Sequence, residues 1–208
     1  MMKALKGLYI VTPDWDDTDQ LVQATDLALQ GGAVLVQYRH KTADAALRSE
    51  QAAALLQVCR RHGVPFIIND HLELCLALDA DGIHVGGTDA SVAQVRAAVG
   101  ADKIVGASCY GTLQLARDAQ AAGASYVAFG GFYPSRVKKY DFKTAPEIVA
   151  QSKAEIALPV VVIGGMTVDN CQPLIAQGAD LVAAISSVYM QENVSGAARG
   201  FAALYPQA

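Results

Sequence analysis

Short runs of aliphatic and β-branched residues recur along the chain, and each gives way to a longer stretch in which Ala and Leu fall at helical spacing. The runs are GLYIVTP (7–13), VLVQYRH (34–40), PFIIND (65–70), GIHVGG (82–87), KIVGASC (103–109), YVAFGG (126–131), PVVVIGG (159–165) and LVAAISSVY (181–189). Between them lie segments such as DAALRSEQAAALLQVCRRHG and SVAQVRAAVG, which read as amphipathic helices ending in glycine. GGAVLV, GADLV and GASYV repeat one theme, a glycine that releases the chain from a helix just before the next strand, and HGVPF resembles them with Pro opening the strand. Eight such βα units with no linker between them predict an α/β fold, a single (β/α)8 barrel domain over residues 1–208. An open doubly wound sheet is the alternative, because closure is not written in a local pattern.

Composition fits this picture. The chain is 52% hydrophobic but only 7% aromatic, as Ala-rich helices on Val/Ile strands require. The net charge of −4 argues against nucleic acid or an anionic membrane as partner, so any anion site must be local. No apolar run has the length of a signal peptide or a membrane span, and a cytoplasmic protein is expected. Cys59, Cys75, Cys109 and Cys171 have no zinc-like or paired spacing and read as buried thiols.

In a parallel barrel, chemistry gathers at the C-terminal ends of the strands. Here those ends are polar: TPDWDD, QYRHK, IND, HVGGTD, GASCYGT, FGGFYPSRVKK, IGGMT and ISSVY. Asp70 follows the third strand and Asp89 lies just past the fourth, in neighbouring loops about 5 Å apart at strand level. Two carboxylates without a fuller cage suit Mg²⁺ carried with a diphosphate, although each Asp alone could simply cap the next helix. Of sixteen Lys and Arg, five fall in two rim loops: Arg39, Lys41, Arg136, Lys138 and Lys139. A run of charge is often only a solvated surface. Gln37, Arg39 and Lys41, however, alternate along one strand and share a face, while Tyr38 and His40 point the other way. Such a row of donors suits phosphate oxygens. Gly164-Gly165 and Ser186-Ser187 follow the last two strands, where barrels bind phosphate through backbone N–H groups, and glycine there also serves tight turns. His84, mid-strand, reads as a packed structural histidine, and His62 and His71 as ordinary ones.

These loops, in this order and over nearly the whole chain, resemble the thiamine-phosphate synthase family: QYRHK, IND, DGIHVGGTD, GAS, FGGFYPSRVKK, IGG and ISS. The resemblance implies an enzyme that joins 4-amino-5-hydroxymethyl-2-methylpyrimidine diphosphate to a thiazole phosphate, releasing pyrophosphate through a carbocation. Asp70 and Asp89 would hold Mg²⁺. Gln37, Arg39, Lys41, Asn69, Ser108 and Lys138 would hold the pyrimidine diphosphate, with Lys138 and Ser108 in catalytic roles. Ser135, Arg136, Val137, Gly165, Ser186 and Ser187 would hold the thiazole phosphate. The family usually has Gln where Gly87 stands and Thr-x-Thr-Lys where this chain has Ser135-Arg136-Val137-Lys138. Small-molecule partners are therefore expected, and assembly into a homo-oligomer is compatible with the chain. A thiazole tautomerase on the same barrel would need no metal diphosphate site. A barrel that binds phosphate ligands without turnover would have no use for paired carboxylates.

Overall fold

Each of the eight apolar runs forms a parallel strand, and each strand is followed by helix, in the computed structural model, which describes residues 5–86, 91–135 and 142–205. The strands are β1 (Gly7–Val11), β2 (Ala33–Tyr38), β3 (Phe66–Asn69), β4 (Gly82–Val85), β5 (Ile104–Tyr110), β6 (Tyr126–Phe129), β7 (Val160–Ile163) and β8 (Leu181–Ala184). They pair in sequence order, and β1 also pairs with β8, so the sheet closes on itself. The barrel reading holds and the open-sheet alternative falls.

Alternation along each strand sorts side chains into two cores. Tyr9, Val11, Leu35, Ile67, Tyr126 and Val161 fill the barrel interior. Their neighbours Leu8, Ile10, Val36, Ile68, Val127 and Val162 face outward into a layer shared with the helices. Because both faces are buried, the strands read as unbroken apolar runs.

The helices start and stop where local chemistry dictates. Asp17 caps α1 (Thr18–Gln30) by accepting from the Gln20 N–H at 2.9 Å. Asp44 caps α2 (Ala45–His62) by accepting from the Leu47 N–H at 2.9 Å, and α2 ends at Gly63 in the left-handed conformation. The chain continues through α3 (Leu72–Ala77), α4 (Val92–Val99), α5 (Leu113–Ala121), α6 (Ile148–Glu155) and α7 (Gln172–Ala176).

The last run departs from its sequence reading. LVAAISSVY does not continue as strand: β8 stops at Ala184, and Ser186–Tyr189 form a short helix, α8, before α9 (Val194–Ala202). The β7–β8 ladder ends at the Ile163–Ala183 pair and the β1–β8 ladder at Ile10–Ala184, so the residues beyond Ala184 have no strand partner. Their backbone bonds locally instead, from the Tyr189 N–H to the Ile185 carbonyl at 2.9 Å.

Candidate active site

The C-terminal ends of the strands open into one pocket, and ten of the residues singled out from the sequence line it. Gln37, Arg39 and Lys41 come from the end of β2, and Asn69 and Asp70 from the end of β3. Ser108 lies in β5, while Ser135, Gly165, Ser186 and Ser187 come from the far side of the rim. Asp89, Arg136, Val137, Lys138 and Lys139 lie outside the described residues, as does Gly87.

The basic row is held from behind. Tyr38 and His40 turn away from the pocket, as their alternation requires, and both meet the fully buried Gln51 of α2. The Gln51 Nε2 donates to the Trp15 carbonyl at 2.8 Å, so its Oε1 accepts from the Tyr38 hydroxyl and from His40 Nδ1. Thr12 and Arg39 exchange two hydrogen bonds: Arg39 N–H to Thr12 Oγ1 at 2.8 Å, and the Thr12 hydroxyl to the Arg39 carbonyl at 2.9 Å. Asp14 accepts from Arg39 Nη1 at 3.3 Å and from the Lys41 N–H at 3.0 Å. The β1 loop therefore orients the donors that β2 supplies. Neither Thr12 nor Asp14 was singled out from the sequence, because their partners lie 25 to 27 residues away.

Asp70 does not cap a helix. The residue before α3 is His71, which makes no capping bond, and Asp70 itself has φ 63°, in the left-handed region that non-glycine residues seldom occupy. Its N–H donates to the His84 carbonyl at 2.9 Å, locking the loop against β4. Its carboxylate, 14% exposed, takes the Lys41 ammonium and the Asn69 amide, whose Nδ2 donates at 2.5 Å. Strain of this kind, kept by surrounding bonds, is concentrated at functional sites in proteins generally. A carboxylate at the rim that already faces one cation has the donor chemistry for Mg²⁺, which needs only one or two protein oxygens when a phosphate supplies the rest. Among the described residues no group of three or more His, Cys, Asp or Glu could form a cage without such a ligand.

His84 is packed, as its sequence reading has it, and the structure adds where it points. It is buried, but it faces the interior, lines the pocket and bonds on both sides: Nδ1 to Tyr126 Oη at 2.9 Å and Nε2 to Ser108 Oγ at 2.9 Å. Tyr126 Oη also meets Tyr9 Oη at 2.7 Å, and Gln37 Nε2 donates to Tyr9 Oη at 2.5 Å. Strand register brings these groups together. Asn69, His84, Gly106 and Tyr126 are successive partners across β3, β4, β5 and β6. Gly106 makes the room, since a Cβ there would sit 2.2 Å from Tyr126 Oη. Burial pushes both tyrosine hydroxyls far above the ordinary phenol range, so both stay neutral.

Across the pocket, Gly165 has φ 62°, and a Cβ on it would meet the Pro134 carbonyl oxygen at 2.2 Å. Glycine is demanded there by the turn and by the close approach of the loop carrying Ser135. Asn170 Nδ2 pins the same turn by donating to the Gly165 carbonyl at 2.9 Å. Ser186 and Ser187 stand opposite, at the start of α8. All four cysteines are buried and free, and burial raises Cys109 to about 12, which leaves it a packing residue rather than a nucleophile.

The model of the family described as thiamine monophosphate synthase matches residues 8–188. The chain is 65% identical over 205 residues to the thiamine-phosphate synthase of Janthinobacterium sp. (strain Marseille), covering 99% of both chains. It is 46% identical over 201 residues to that of Methylobacillus flagellatus, covering 97% of this chain and 96% of the relative. Among solved structures it is similar to thiamine phosphate pyrophosphorylase from Pyrococcus furiosus, with a TM-score of 0.84, 29% identity and coverage of 97% of this chain and 96% of that one.

Proposed function

The chain belongs to the thiamine monophosphate synthase family, and from that premise we propose that it joins 4-amino-5-hydroxymethyl-2-methylpyrimidine diphosphate to a thiazole phosphate, giving thiamine phosphate and pyrophosphate. The observation that carries this reading is the meeting of the Arg39–Lys41 row, Asp70 and Ser108 in one cavity. A diphosphate needs the cations, an aminopyrimidine needs polar groups at the barrel floor, and the two must be one molecule's length apart.

In the reaction proposed, the bond from the methylene carbon to the diphosphate oxygen breaks first. The electron-rich aminopyrimidine stabilises the resulting carbocation, and the thiazole nitrogen captures it. No protein nucleophile is required, which agrees with the inert cysteines. Arg39 and Lys41 hold the diphosphate, and Lys138 stabilises the departing pyrophosphate as its charge develops. Asp70 and Asp89 would hold Mg²⁺, which when bound neutralises diphosphate oxygens and makes them a better leaving group. Ser135, Arg136, Val137, Gly165, Ser186 and Ser187 receive the thiazole phosphate. Ile163, Met166 and Ile185 form an apolar wall of the pocket, and excluding water there protects the cation from quenching to the alcohol.

The test mixes protein, both substrates and Mg²⁺, and measures thiamine phosphate by oxidation to its fluorescent product. Product above the protein-free rate is expected. Its absence with both substrates present would overturn the reading. The tautomerase alternative gives no role to the cluster of Arg39, Lys41 and Asp70.

A further inference from the structure

Strand order puts the loop after β1 between two halves of the pocket, because β1 pairs with β2 on one side and with β8 on the other. The β2 side carries Arg39 and Lys41, and the β8 side carries Ser186 and Ser187 at the start of α8. Towards β2 the loop is bound through Thr12 and Asp14 to the basic row. The Trp15 and Asp16 carbonyls add a second hold there, both accepting from Gln51 Nε2 of α2, at 2.8 and 3.4 Å. Towards α8 the same loop sends the Trp15 ring, which meets the Tyr189 ring edge-to-face with centroids 5.9 Å apart and planes at 86°. One residue thus ties the loop in both directions, by its carbonyl and by its indole.

Tyr189 gives that indole a fixed abutment. It is 2% exposed, and its hydroxyl meets Thr25 Oγ1 of α1 at 2.9 Å. Its N–H donates to the Ile185 carbonyl at 2.9 Å, closing the turn that presents Ser186 and Ser187. Trp15 is the single tryptophan of the chain and stands in the polar stretch TPDWDD, yet it packs against the buried layer under the helices. It does not line the pocket.

We propose that Trp15 is a positioning residue that fixes the separation between the diphosphate half of the pocket and the acceptor half. It acts through Asp14 on one side and Tyr189 on the other. The inference rests on the reaction proposed above and adds what aligns its second step. When the bond from the methylene carbon to oxygen breaks, its electron pair leaves with the pyrophosphate. The thiazole nitrogen must then place its lone pair on the bare carbon before water does. Capture by nitrogen gives thiamine phosphate, whereas capture by water, with loss of a proton, gives 4-amino-5-hydroxymethyl-2-methylpyrimidine. Both products come from one cation, so their ratio reports where the acceptor stands and not how fast the cation forms.

The experiment supplies saturating thiazole phosphate and Mg²⁺ to the wild type, Trp15→Leu, Trp15→Phe, Tyr189→Leu and the double Leu variant. It measures alcohol and thiamine phosphate per diphosphate consumed, corrected for the protein-free rate, together with KM for each substrate. Trp15→Leu is expected to raise the alcohol share by about tenfold with both KM values within about threefold, since a shift of about 1 Å at reacting atoms costs up to about 100-fold in rate. Tyr189→Leu should do the same, and the double variant no more than either, because both remove one contact. Trp15→Phe leaves a ring for Tyr189 and should restore most of the wild-type share. A loss of folded protein would lower both products together and leave the share alone. If Tyr189→Leu melts below the assay temperature, the two Trp15 variants decide. An unchanged share in Trp15→Leu, or additive effects in the double variant, overturns the positioning role while the reaction stands. Wild type that makes no thiamine phosphate overturns the reaction and this inference with it.

Discussion

Lys41 and Asp70, 29 residues apart in sequence, meet across the pocket mouth as an ammonium and a carboxylate. One arrives on the β2 loop and the other on a strained turn after β3. In the function proposed above, a diphosphate with its counter-ion would replace each as the other's partner: phosphate oxygens for Lys41, a metal for Asp70.

Replacing Asp70 with Asn keeps the shape of the side chain and a residue that tolerates φ 63°. The variant should therefore melt near the wild type yet lose turnover on the order of 100-fold. Excess chelator should silence the wild type to a similar degree. Full activity in chelator would remove the metal from the mechanism, and a variant that unfolds would make Asp70 a structural residue.

Asp14 touches the basic row only through Arg39 Nη1 and the Lys41 N–H. Asp14→Ala should raise KM for the pyrimidine diphosphate by roughly three- to tenfold, the worth of about one hydrogen bond, while kcat stays within about twofold. Steady-state kinetics at saturating thiazole phosphate separate the two. A fall in kcat with unchanged KM would contradict the assignment.

Gly106→Ala drives a methyl group into the fully buried Tyr126 ring, whose Cζ lies 2.1 Å from the new Cβ position. Overpacking of this kind costs about 1 to 3 kcal/mol. Urea denaturation should report a loss of that size. An unchanged midpoint would mean that β5 and β6 can part at no expense.

The buried thiols predict how stability varies with pH. Burial raises Cys59 and Cys109 to about 12 and Cys75 and Cys171 to about 11 from the ordinary 9.0. A raised folded-state pKa means that unfolding releases protons above pH about 9, so stability is complete below that pH and falls as pH rises towards 11 to 12. Each thiol adds up to about 1.4 kcal/mol per pH unit within that window. Urea titrations at pH 8, 9 and 10 should give falling midpoints, and a Cys171→Ala variant a shallower fall. A flat profile across that range would mean that the thiols are already ionised or already exposed.

Much of this molecule was legible in its sequence, for a physical reason. Strand alternation and helical spacing are local, so the eight βα units, the glycine stops and the shared face of Gln37, Arg39 and Lys41 follow from neighbours a few residues apart. The polar strand ends located the rim for the same reason, and ten of the residues named from it do line one pocket. Where local pattern lost its hold, the reading failed. ISSVY has strand composition, but beyond Ala184 there is no ladder to join, so it coils into α8. His84 is packed, as read, but two of its partners were out of reach of local pattern: Tyr126 is 42 residues away and Ser108 is 24. Tyr9 and Tyr126, 117 residues apart, were not singled out at all, for the same reason. Closure of the sheet, the register that aligns Asn69, His84, Gly106 and Tyr126, and the meeting of Lys41 with Asp70 are collective results of packing a barrel around its interior. The chain's own pattern determined which elements form and which ends are polar, while only the closed barrel decided which of those polar groups face one another, because strand pairing sets distances that sequence separation does not encode.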